Sequence, residues 1–139
     1  MATTRIAHAD WEGSLTEGAG RVSLDSSGIG TFDVTWSARS EEANGKTSPE
    51  ELIAAAHAAC FSMAFSSGLA KAGTPPTALH TRVEVDFQPG EGITGVRLHV
   101  TGEVPGMDDE TFRAMAEDAK QNCPVSRALA AVPISLTVG

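Results

Sequence analysis

The hydrophobic pattern changes rhythm along this chain. Over residues 21–24 and 31–36 apolar and polar positions alternate, with Phe32, Val34 and Trp36 on one face, as in half-buried strands. Residues 11–13 and 16–20 read as turns, and 40–46 as a polar loop. From Ser48 the period lengthens. Ser48 is placed to cap a helix, Pro49 suits its first position, and Glu51 closes a capping box. A helix is expected to run to about Ala70, stopped by Gly73, Pro75 and Pro76. Residues 52–61 are apolar on nearly every face, so this helix should be buried all round. A chain this short has little else to cover it, and a second subunit is expected to do part of that work.

Strand rhythm returns over residues 81–87 and 96–101, with Gly90 and Gly92 marking a hairpin turn between them. A second helix starts near Asp108, with Phe112, Met115, Ala116 and Ala119 on one stripe. Cys123 continues that stripe, but the residue before a proline avoids helix, so Pro124 breaks it there and opens a short helix over 125–130. Residues 134–138 close the chain as a strand. No repeat or linker interrupts the order, which predicts one α+β domain over residues 1–139.

Composition narrows the class. The chain has 10 basic and 18 acidic residues in 139, a formal charge of −8. That argues against nucleic acid as a partner and against docking on an anionic membrane. Aromatics make up 5% and Tyr is absent, so the core must rest on aliphatic side chains. The first residues show no apolar leader, and the fourteen-residue apolar run 52–65 is short of a bilayer span. A cytoplasmic address is the expectation.

Two cysteines, Cys60 and Cys123, stand 63 residues apart. They are too few for a secreted disulfide framework, and a zinc site with His57 lacks a fourth ligand, so no metal or cofactor is expected. In a reducing compartment they are either two buried hydrophobes or a redox couple. His57 precedes Cys60 by three residues, which makes their side chains neighbours on the helix. It reads as a base near the thiol or as a core histidine bonded to a neighbour. Cys123 falls at the start of the short helix, a position that stabilises a thiolate, although it also fits as the last apolar residue of its stripe. Glu50 is favoured by the helix dipole, and Arg39 sits beside a polar loop where a solvated cation is ordinary.

Residues 47–64, with Ser48-Pro49-Glu50 and His57-Ala58-Ala59-Cys60, resemble the signature helix of the OsmC/Ohr family of peroxidases, the His-Ala-Ala-Cys form pointing to the OsmC subgroup. Asn122-Cys123-Pro124-Val125-Ser126 resembles that family's second cysteine motif, and Trp11-Glu12-Gly13 resembles the OsmC branch. The similarity covers nearly the whole chain. It implies an OsmC-like fold, with antiparallel sheets packed around a long central helix in an intertwined homodimer whose active sites lie at the interface. It implies thiol-dependent reduction of organic hydroperoxides, with Cys60 as the peroxidatic and Cys123 as the resolving residue. Arg39 would steady the thiolate and Glu50 would orient Arg39; Arg21 is a rival for that role. The implied reductant is a dithiol, such as a lipoylated protein. Members with Tyr in place of His57 remain peroxidases, which favours the core reading of His57.

Two physical expectations accompany the resemblance. Glu50 and Cys60 lie ten residues apart, about 15 Å along one helix, so an Arg held by Glu50 would serve the Cys60 of a second subunit. Phe61, Met63 and Phe65 would line an apolar pocket preferring alkyl or lipid hydroperoxides, at about 0.8 kcal/mol per buried methylene. Rival readings are a Cys–His hydrolase, a redox-sensing or binding module of the same fold without turnover, and two inert buried thiols.

Overall fold

A computed structural model of the chain describes residues 1–139. Its elements are β1 (Ala7–Glu12), β2 (Ala19–Leu24), β3 (Thr31–Val34), α1 (Trp36–Ser40), α2 (Pro49–Lys71), β4 (Ala78–Gln88), β5 (Gly92–Glu103), α3 (Asp109–Asn122), α4 (Pro124–Ala128) and β6 (Ile134–Val138). The class is α+β: two three-stranded sheets and one long helix. The chain divides into two units, Met1–Glu50 and Glu51–Gly139.

The first unit is built on the antiparallel sheet β1-β2-β3. Trp11 belongs to β1 rather than to a turn, because it pairs across the ladder with Gly20. A Cβ on Gly20 would lie 2.6 Å from the Trp11 ring, so the indole needs glycine opposite it. The strand expected to reach Trp36 stops at Val34 instead. Thr35 caps α1, its hydroxyl accepting the Ala38 N–H at 3.1 Å. Alternation alone cannot show such a cap. All six residues of β1 are exposed, and only Gly20, Ala38 and Glu50 in this unit are buried.

The second unit holds a packed core. α2 runs 23 residues, one beyond the expected end, and contributes Phe61, Phe65 and Leu69 from one face. By length and composition α2 would suffice to cross a membrane. Here its buried face meets Leu98 and Val100 of β5 and Ala116 and Ala119 of α3. β4 and β5 form the expected hairpin, turning through Gly90 (φ 87°) and Gly92 (φ 101°), a left-handed backbone that glycine adopts without strain. β6 joins β5 in parallel, with Leu98 opposite Leu136. Alternation along β5 sends Val96, Leu98 and Val100 inward. Arg97 and His99 point the other way, to Asp86 at 2.9 Å and Glu84 at 3.0 Å on β4.

Candidate active site

Cys60 and Cys123 reach the same place by different routes. Cys60 rides the second half of α2, half-buried and packed against the core cluster. Cys123 is fully buried at the junction of two helices. Its N–H still bonds to the Ala119 carbonyl at 2.8 Å, closing α3, while its ψ of 122° leaves the helical region. The same residue is the N-cap of α4, with Pro124 in the first turn. The expected break before Pro124 therefore does place a cysteine where the chain turns.

The two thiols are neighbours at the same core cluster, close enough for Cys123 to act on the ionisation of Cys60, and both are free. Burial pushes the Cys60 thiol above its ordinary pKa, and the neighbouring Cys123 thiol adds to that rise. The backbone N–H of Val125, in the first turn of α4, is near enough to oppose the shift. Two neighbouring free thiols close a disulfide by losing two electrons and two protons.

His57 is fully buried, and its Nε2 lies 2.7 Å from the Ser126 hydroxyl on α4. Its Nδ1 has no hydrogen-bond partner. Burial holds its pKa below the ordinary histidine value, so the ring is neutral near pH 7. Bonded to a side chain in the core, it matches the second of the two readings given to it. Ser126 was not singled out from the sequence, although it stands in the second cysteine motif. The available signal was a buried imidazole needing a partner and a hydroxyl three residues past Cys123.

In the first unit, Arg39 and Glu50 meet as a charged fork. Arg39 Nε lies 3.0 Å from Glu50 Oε1, and Nη2 lies 2.9 Å from Oε2. The carboxylate is buried and the guanidinium partly exposed, a geometry that fixes the plane of the cation. Arg21, the rival, is exposed and faces Asp33 at 3.8 Å.

Of the three pocket residues, Phe61 and Phe65 are committed to the core. Their ring centroids are 5.7 Å apart, and Phe65 lies 5.0 Å from Phe112. Met63 is exposed, beside a groove of about 580 Å³ lined also by Ser66, Ser67, Pro76 and Leu79. No cluster of three or more His, Cys, Asp or Glu side chains is arranged to hold a metal.

Comparison with known proteins places these features in a family. The model of the family described as OsmC-like protein matches residues 41–137. The chain is 41% identical over 134 residues to the peroxiredoxin OsmC of Escherichia coli K12, covering 94% of this chain and 93% of that one. It is 35% identical over 86 residues to an organic hydroperoxide resistance protein of Xanthomonas axonopodis pv. citri, covering 59% of this chain and 58% of that one. Among solved structures, an organic hydroperoxide resistance protein OsmC from Legionella pneumophila superposes with a TM-score of 0.73 at 27% identity, covering 100% of this chain and 98% of that one. OhrB of Bacillus subtilis shares the fold, with a TM-score of 0.69 at 24% identity over 96% of this chain and 98% of that one.

Proposed function

Because this chain belongs to the OsmC-like protein family, we propose that it is a thiol peroxidase reducing organic hydroperoxides to alcohols. The observation that carries this reading is the adjacency of the Cys60 and Cys123 sulfurs. The names of its relatives point to the same peroxide chemistry. In the proposed cycle the Cys60 thiolate attacks the distal peroxide oxygen and the O–O bond breaks. The alkoxide takes a proton and leaves as the alcohol, and Cys60 becomes a sulfenic acid. The Cys123 thiol displaces its hydroxyl, releasing water and forming the disulfide. An external dithiol, such as dihydrolipoamide or a lipoylated protein, then reduces that bond by exchange.

Burial raises the Cys60 pKa, so the reactive thiolate needs a cation. We assign that role to Arg39, held in plane by Glu50. The pair acts on the thiol site of a second copy in a homodimer, since Glu50 and Cys60 are ten residues apart on one continuous helix. The apolar neighbours of Cys60, and the groove beside Met63, suit alkyl or lipid hydroperoxides better than hydrogen peroxide. A cytoplasmic setting, with its reducing thiol pool, fits the cycle.

The test is to add one equivalent of cumene hydroperoxide to the native protein. Two thiols per chain should disappear, one cumyl alcohol and a Cys60–Cys123 disulfide should form, and dihydrolipoamide should restore both thiols. Thiols that survive the peroxide would refute the reading. A disulfide that forms once and resists every dithiol would favour the redox-sensing alternative.

A further inference from the structure

α4 has five residues, and it sets where Cys123 and the Val125 N–H stand relative to Cys60. A helix of barely more than one turn has little stability of its own, so its position depends on what ties it down. Apolar contact supplies part: Cys123 is buried and Val125 packs against the core. The polar tie is the 2.7 Å hydrogen bond between His57 Nε2 and the Ser126 hydroxyl, side chains 69 residues apart. Both residues are buried, so water cannot readily replace either partner. His57 lies one turn before Cys60 on α2, and Ser126 three residues after Cys123. The bond thus joins the two segments that carry the sulfurs.

We propose that His57 and Ser126 are positioning residues: their hydrogen bond latches α4 to α2 and thereby sets the encounter of Cys60 with Cys123. The latch touches neither peroxide nor sulfur. It raises the effective concentration of one thiol at the other, and so governs disulfide closure above all. His57 has a second ring nitrogen without a partner, a cost a purely space-filling residue would avoid. The inference deepens the peroxidase reading and rests on it for its role in turnover, but the geometry it claims can be measured without peroxide.

The experiment equilibrates the full-length protein in glutathione redox buffers, where two protein thiols and one glutathione disulfide exchange for the protein disulfide and two glutathiones. Ser126→Ala should lower the effective concentration of the Cys60–Cys123 pair about tenfold, the loss expected for one buried hydrogen bond. Ser126→Thr, which keeps the hydroxyl, and His57→Gln, whose amide can donate or accept near the Nε2 position, should recover most of it. A structural role alone would lower the melting temperature of Ser126→Ala and leave this equilibrium at the wild-type value; that result overturns the latch. If Ser126→Ala fails to fold, the same measurement on His57→Gln and Ser126→Thr decides, because values scattered without regard to the retained hydrogen bond would also overturn it. In a parallel arm, cumene hydroperoxide is added and a 1,3-diketone traps the sulfenic acid. Ser126→Ala should accumulate several times more trapped Cys60 per peroxide consumed than the wild type. If wild-type Cys60 never becomes a sulfenic acid, the peroxidase reading fails, and the redox-buffer result still decides the latch.

Discussion

The two units differ in what each can do unaided. Glu51–Gly139 has a packed core, and both sulfurs sit against it with a neutral histidine and a short helix arranged around them. Met1–Glu50 has a well-paired sheet but almost no buried side chains, and Phe32, Ile29 and Trp11 are exposed. Yet the first unit carries the oriented guanidinium, while the second carries a thiol whose pKa burial has raised. The lesson is a division of labour. Packing against the core makes the Cys60 thiol harder to ionise, and the oriented guanidinium proposed to offset this belongs to the unit with the poorest core of its own.

The sharpest break in that comparison comes from the thiols. Cys60→Ser should lower peroxide consumption by more than about a thousandfold, whereas Cys123→Ser should retain one fast turnover, seen as one alcohol per chain, and then stall. Next comes stability. Leu98→Ala, at a fully buried site of the second unit, should cost about 2–5 kcal/mol in urea unfolding. If Arg39 serves as the proposed cation, Arg39→Ala should reduce the second-order rate constant about ten- to a hundredfold and move its pH profile to higher pH. Arg39→Lys should recover only part, since an ammonium cannot reproduce the two-point pairing with Glu50.

The histidines give a contrast of sign. His57 in the second unit has a pKa below 6.5 in the folded chain and near it when unfolded. Its contribution to stability is complete above pH 6.5 and is lost as the pH falls, at up to about 1.4 kcal/mol per pH unit. His8 in the first unit has a raised pKa, chiefly from its bond to Asp25, so its contribution is present at low pH and lost as the pH rises. Replacing His57 by Gln should flatten the acid side of the stability–pH curve, and replacing His8 should leave that side unchanged. The smallest effect belongs to Phe32→Ala, at an exposed position of the first sheet: about 0.5 kcal/mol or less in unfolding.

Much of this was legible in the residues. The long helix announced itself through Ser48, Pro49 and Glu51 and through the apolar run, and it ends within one residue of the expected position. Gly90 and Gly92 marked the hairpin, and Pro124 marked the break that places Cys123. Less could be read near the N-terminus. Alternation through Trp36 concealed the Thr35 cap that starts a helix there, and Trp11 looked like a turn until β2 supplied a glycine across from it. Phe61 and Phe65, expected along a pocket, have their rings buried in the core, because helical spacing gives a face but not what that face meets.

Sequence alone thus determined the elements whose cause lies within a few residues: caps, breaks, turns, and the periodicity of the strands and the main helix. It also supplied both cysteine motifs. Tertiary packing was needed to set β6 parallel in its sheet, to bring Cys123 beside Cys60, and to let His57 find Ser126. Caps and turns are settled by sterics and hydrogen bonds between near neighbours. Partners 63 and 69 residues apart meet only when burial of a shared core outweighs the entropy of closing the chain between them.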